Sequence, residues 1–185
     1  MPVLVVSLGV ALLVVVLGRV VYRWTVFRAK RLVTCPENQR PAGVNLDAGH
    51  AAWTGLGKSP HFRLASCTRW PERAGCGQQC LSQIEAAPQD CEVRRILARW
   101  YQGKKCVSCG LPFGEILWEY QKPALLNADK RTVEWGQIPV DQLPEVLEQS
   151  APICFTCHMA STLAREHPDL TVDRSRPWAA GRQGT

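Results

Sequence analysis

Two short stretches, CVSCG at Cys106–Gly110 and CFTCH at Cys154–His158, decide how the C-terminal part of this chain folds. Each contains a C-x-x-C pair. Two thiols at this spacing turn toward one point and supply half of a tetrahedral metal site, so the two pairs together can supply all of it. CFTCH on its own also has the form of a c-type haem attachment signal, with His158 as the proximal ligand. The two readings belong to different compartments, and the rest of the chain separates them.

The N-terminus sets the compartment. PVLVVSLGVALLVVVLG, Pro2–Gly18, carries no charge. Continued to Tyr22 it gives about 20 helical residues, or roughly 30 Å, the thickness of a hydrocarbon core. Arg19 lies near the end, where its stem can snorkel to the interface, and Tyr22 and Trp24 follow as an aromatic belt does. A cleaved signal peptide fits less well: no basic residue precedes the run, the run is too long, and no A-x-A-like site follows it. Residues 1–23 therefore read as a transmembrane anchor and 24–31 as a basic juxtamembrane segment. Arg19, Arg23, Arg28, Lys30 and Arg31 follow the apolar run and no Lys or Arg precedes it. That asymmetry predicts an outside N-terminus and a cytoplasmic main domain at a cell membrane. The chain has 22 basic and 16 acidic side chains, so without those five the balance is 17 to 16. The basic character belongs to a cluster near anionic lipid headgroups, and no nucleic-acid partner is expected.

In a reducing compartment nine cysteines among 185 residues read as metal ligands or free thiols rather than disulfides. Cys106, Cys109, Cys154 and Cys157 form the paired group, with 44 residues between the pairs. That interval has structure of its own. EILWEYQ (Glu115–Gln121) and RTVEWGQI (Arg131–Ile138) read as strands joined by a turn at NADK. A short helix is expected over DQLPEVLEQ, and a second over HMASTLAREH, stopped by Pro168.

Knuckle, hairpin, excursion, then a second pair at a helix start: over residues 104–168 this order resembles a treble-clef zinc finger. The resemblance implies zinc held by Cys106, Cys109, Cys154 and Cys157. It extends to the zinc-stabilised HNH nucleases, whose frame often ends in C-x-x-C-H. Those enzymes place a catalytic histidine on the hairpin, and no histidine lies between Cys109 and Cys154 here. His50 and His61 precede the frame and His167 lies beyond its second cysteine pair. Nuclease activity is therefore not expected.

The other five cysteines are spaced more loosely. RLVTC places Cys35 at a strand end, ENQRP turns the chain into AGVNLDA, and FRLASC carries Cys67. A helix over GQQCLSQIEAA would project Cys76 and Cys80 from one side. Asp90 can cap a helix over CEVRRILARWYQ, with Gly103 ending it; its apolar face is Val93, Ile96, Leu97, Trp100 and Tyr101, and Cys91 points away from that face. Four of Cys35, Cys67, Cys76, Cys80 and Cys91 can form a second metal site, zinc or iron–sulfur, and the spacing does not choose among them. Cys35 and Cys67 are candidates for neighbouring strands.

The expected fold class is α+β: a single transmembrane helix, then a small cysteine-rich domain of short hairpins and short helices around metal sites. Residues 32–103 form the cysteine-rich subdomain, 104–173 the zinc module and 174–185 a tail of disordered composition. No P-loop, Rossmann glycine pattern or H-E-x-x-H occurs, so no catalytic residue is assigned. The expected function is an accessory or scaffold subunit of a membrane complex that meets its protein partner through tryptophan-rich surfaces. An iron–sulfur electron-transfer subunit is the alternative. A c-type cytochrome through Cys154, Cys157 and His158 ranks third, because it needs the opposite topology and leaves Cys106 and Cys109 unused.

Overall fold

A computed structural model of the chain describes residues 2–57, 59–73 and 75–170. The tail expected at 174–185 lies outside the described residues. The fold is mixed helix and sheet, in two compact units. One holds the described residues up to Gln102 together with Gly136–Glu148; the other holds Gly103–Trp135 and the described residues from Gln149 on.

The first unit begins with helix α1, Pro2–Phe27. Its Val6–Phe27 stretch is long and apolar enough to cross a membrane, and none of it is buried in the protein. The helix outruns the predicted span by several residues because its last turn has a partner. Arg23 donates to the Gly55 carbonyl, and Phe27 meets Phe62 edge-on at 5.5 Å between ring centroids.

Three short strands follow: β1 (Arg31–Thr34), β2 (Pro41–Leu46) and β3 (Leu64–Cys67), antiparallel in the order β1-β2-β3. Helix α2 (Ala48–Thr54), capped by the Asp47 carboxylate on the His50 N–H at 2.9 Å, joins the last two. Pairing places Val33 opposite Ala42 and Val44 opposite Cys67. Directly opposed residues share a sheet face, so Val33, Ala42, Val44 and Cys67 line one side. Helix α3 (Leu81–Ala86) covers that side with Ile84, which is fully buried. On the other side the backbone of Gly43 lies so close to Val140 that an added Cβ would fall 2.7 Å from its Cβ.

Helix α4 (Val93–Tyr101) buries Val93, Leu97 and Tyr101, three of the five apolar-face residues expected. Its cap differs from the expectation: Glu92 precedes the helix, and Asp90 instead pairs with Arg99 at 2.6 Å. Gly103, two residues past the helix end, takes the left-handed conformation expected of it, with φ at +73°.

Arg31 departs from the lipid-facing cluster assigned to it. It is 2 % exposed and donates to the Pro88 carbonyl at 3.0 Å, while the Leu32 N–H meets the Cys91 carbonyl at 2.8 Å. Burial lowers its pKa, partly offset by Glu92 and Cys91.

In the second unit β4 (Ala124–Leu126) is the centre of a three-stranded antiparallel sheet, with β5 (Thr132–Val133) on one side and β6 (Ala151–Ile153) on the other. The turn at Asn127–Lys130 is where it was expected, held by Asn127 N–H to Arg131 O at 3.0 Å. The first strand is not. Glu115–Gln121 forms turns, such as Gln121 N–H to Leu117 O at 2.9 Å, and the strand falls on Ala124–Leu126. The central strand is flanked on both sides, so the apolar ALL run takes it in preference to the half-polar EILWEYQ. Arg131–Ile138 likewise yields only two paired residues before a 3₁₀ turn at Trp135–Gln137. The excursion between the two parts of this unit belongs to the first unit and carries helix α5, Leu143–Gln149, with Pro144 in its first turn. Helix α6, Phe155–Glu166, ends before Pro168 as expected.

Ile84 fills the space between α3 and the sheet, so Ile84→Ala should destabilise the chain by about 3 kcal/mol through lost burial and a residual cavity. Chemical denaturation of the full chain in detergent checks this, with exposed Trp53→Ala expected within about 0.5 kcal/mol of wild type.

Candidate metal centre

Cys106 sits at the mouth of a tight backbone turn. Its N–H donates to Leu111 O at 2.9 Å and its carbonyl accepts from Gly110 N–H at 2.8 Å. Gly110 has φ at +74°, a conformation that costs glycine little and any other residue more. The turn is fixed to β6 by one bond, Val107 N–H to Pro152 O at 3.0 Å. Two residues after Pro152 the chain leaves β6 at Cys154, which is the extended N-cap of α6, and Cys157 lies in the first turn of that helix.

The consequence is a cluster of four sulfurs, Cys106, Cys109, Cys154 and Cys157, all within 4.8 Å of one another and able to hold a metal ion. Cys109 and Cys154 are 3.8 Å apart, and the Cys154 N–H points at the Cys106 sulfur at 3.3 Å. Cys106 is 1 % exposed and packs with Ala124 and Ile153, whereas Cys109 is open to solvent. Among the described residues this is the one group of ligand side chains drawn so close together.

Cys106, Cys109 and Cys154 have unequal proton affinities. Burial opposes ionisation of Cys106, but N–H groups of Cys109, Cys154 and Ser108 and the Cys109 thiol overcome it and bring its pKa down to about 6. Cys154 is pushed up to about 12, first by burial and then by Cys157, Cys106 and Cys109. At Cys109 the Leu111 N–H favours the thiolate, but burial together with Cys106 and Cys157 outweighs it and raises the pKa. One thiolate is thus readily present, and Cys109 and Cys154 resist ionising beside it until a cation enters.

His158, the third element of CFTCH, lies outside the ligand group. It is buried, with Nε2 3.7 Å from a Glu134 carboxylate oxygen. That pairing with Glu134, at the end of β5, was not read from the sequence; the alternation of Glu134 with Val133 and Trp135 gave no hint of a partner on α6.

The five remaining cysteines divide. Cys35, Cys67, Cys76 and Cys80 line one cavity. Cys91 is elsewhere, buried in the core with its thiol 3.8 Å from the Gln83 carbonyl, so it does pack, contrary to the expectation from helical phase. The reason is that α4 begins only at Val93, and Cys91 lies on the approach to it. Cys35 and Cys67 do not sit on adjacent strands either: β1 and β3 flank β2. Nor do Cys76 and Cys80 share a helix face, since α3 starts at Leu81. His50 and His61 join no ligand group among the described residues. No family model, curated protein or solved structure matches this chain.

Metal uptake at this centre should expel protons, at least those of Cys109 and Cys154. The sign is set by their raised pKa values: acid stabilises the empty thiol form, so affinity falls as pH is lowered. Two displaced protons correspond to roughly 100-fold in affinity per pH unit, to be read from competitive zinc titrations between about pH 6 and about pH 8. Cys154→Ser should lose the metal and His158→Ala should keep it, as measured by elemental analysis.

Proposed function

We propose that the chain is a membrane-anchored, cytoplasm-facing zinc-binding module serving as an accessory or scaffold subunit of a membrane-associated complex. The observation that carries this is the four-sulfur cluster. Four sulfurs at about 2.3 Å from one tetrahedral zinc stand roughly 3.8 Å apart. The Cys109–Cys154 separation is 3.8 Å, and the whole set lies within 4.8 Å. A two-iron cluster divides its thiolates between two metal atoms, which spreads the pairs further apart. The compactness of the set therefore supports a single ion. A knuckle at Cys106–Gly110, the β4–β5 hairpin and ligands at the start of α6 also form the order of parts of a treble-clef finger.

The anchor rests on Val6–Phe27, and the cytoplasmic assignment on Arg19, Arg23, Arg28 and Lys30 after the apolar run. Interaction, rather than catalysis, is supported by apolar side chains left in solvent around the metal unit. Val107 and Leu111 project from the knuckle, Leu117 and Tyr120 from the following loop, and Met159 and Leu163 from α6. Single exposed apolar residues are ordinary; six on one small unit supply anchors for a partner.

The test is direct. The full chain should stay with membranes through an alkaline carbonate wash. In detergent it should be colourless, with zinc that Cys106→Ser removes. A thiol-reactive probe that cannot cross the membrane should label Cys109 in metal-stripped, opened vesicles but not in sealed cells. Visible absorption bleached by dithionite points to iron–sulfur chemistry; release into the wash removes the anchor.

A further inference from the structure

The first unit gathers four of its five cysteines at one place, and each arrives there for a separate reason. β1 has its core-facing side chains at Arg31 and Val33, and the alternation continues to Cys35, whose N–H still pairs with Arg40 O at 2.8 Å. Cys67, across from Val44, is on the same face of the sheet. Cys80 is the N-cap of α3, the helix laid over that face, and is 8 % exposed. Cys76 comes from the loop between β3 and α3 and lines the same cavity. The four surround a cavity of about 30 Å³, whose walls also include Arg69 and Trp70. That is room for a single ion or a water or two.

The electrostatics describe the same grouping. The Cys80 thiol is raised first by burial and then by Cys67, Cys76 and Cys35. Cys35 receives Arg69 Nη1 at 2.8 Å, and the same guanidinium reaches Glu37 at 3.4 Å. Four thiolates around a divalent ion carry two net negative charges, and an arginine hydrogen-bonded to one sulfur offsets part of that charge. Cys91 has none of these relations: its charged neighbours are Arg31, Asp90 and Arg99.

We infer that Cys35, Cys67, Cys76 and Cys80 form a second, single-ion zinc site, with Arg69 as a hydrogen-bond donor to its Cys35 sulfur and Cys91 as a core residue outside it. The four sulfurs, less tightly gathered than those of the C-terminal centre, close onto the ion as it enters.

Cobalt(II) added to the full chain in detergent reports the site, because thiolate-to-cobalt bands count bound ions and their sulfur ligands. Wild type should take up two equivalents with all-thiolate spectra. Cys91→Ser should also take two, and Cys76→Ser and the double variant Cys154→Ser/Cys157→Ser one each. A single equivalent in wild type that Cys76→Ser keeps or the double variant loses, a loss in Cys91→Ser, two full equivalents in Cys76→Ser, or iron with labile sulfide in the protein as isolated overturns the assignment. The wild-type and Cys91→Ser arms do not depend on any ligand variant folding. The double variant separates this site from the C-terminal one: if the C-terminal reading alone is wrong, wild type and the double variant bind the same single ion, at the first unit, and Cys76→Ser binds none.

Discussion

Val107 N–H to Pro152 O, at 3.0 Å, is the bond on which the C-terminal unit turns. The two C-x-x-C pairs are 44 residues apart in sequence, and loop closure over that distance opposes their meeting. The bond fixes the knuckle to β6, and β6 is fixed to β4 by pairing from Ala124–Ile153 to Leu126–Ala151. Cys154 then emerges beside Cys106 with its own N–H aimed at the Cys106 sulfur. One strand of three residues thus does two tasks. It completes the sheet, and it delivers the second pair to the first.

The C-terminal unit has little else to hold it. The buried apolar cluster around the C-terminal sulfurs is Cys106, Ala124 and Ile153, with Phe113, Cys154 and Cys157 against it. Half of those six are the cysteines themselves, so the candidate ligands are also the core. An ion there, worth on the order of 10 kcal/mol in zinc-finger peptides, is comparable with the whole stability of a small domain. The first unit is better supplied, with Val33, Val44, Leu46, Leu64 and Ile84 buried together. Cys35, Cys67 and Cys80 sit at one margin of that core. A metal there adds to a packed structure instead of creating one.

Much of this was legible because its signals were local. The long apolar run, the paired cysteines, the NADK turn, Pro168 after α6 and Gly103 after α4 each act within a few residues, and each fell where expected. What the chain concealed depends on tertiary pairing. EILWEYQ alternates as an edge strand does, yet ALL became the strand because only it could be buried between two neighbours. API was too short, and carried a proline, to read as β6 at all. Cys91 was assigned from a helical phase that α4 begins too late to impose. Arg31 looked like one more basic residue after a membrane span, until the Pro88 carbonyl gave its guanidinium a buried partner.

Arg31 also bears on how the proposed anchor relates to the domain it carries. Only three residues, Arg28, Ala29 and Lys30, separate the end of α1 from β1. A link this short cannot act as a flexible tether. Contacts on both sides restrict it further: Arg23 to Gly55 and Phe27 on Phe62 before it, Val93 N–H to Lys30 O at 3.1 Å after it. The first unit is therefore continuous with the last turn of α1. If α1 spans a bilayer, α2 and the Phe62 segment lie at headgroup depth, and Trp53, 69 % exposed on α2, is well placed to sit in the interface. On that reading a cysteine-rich sheet is carried at a set height above the membrane, without a long linker.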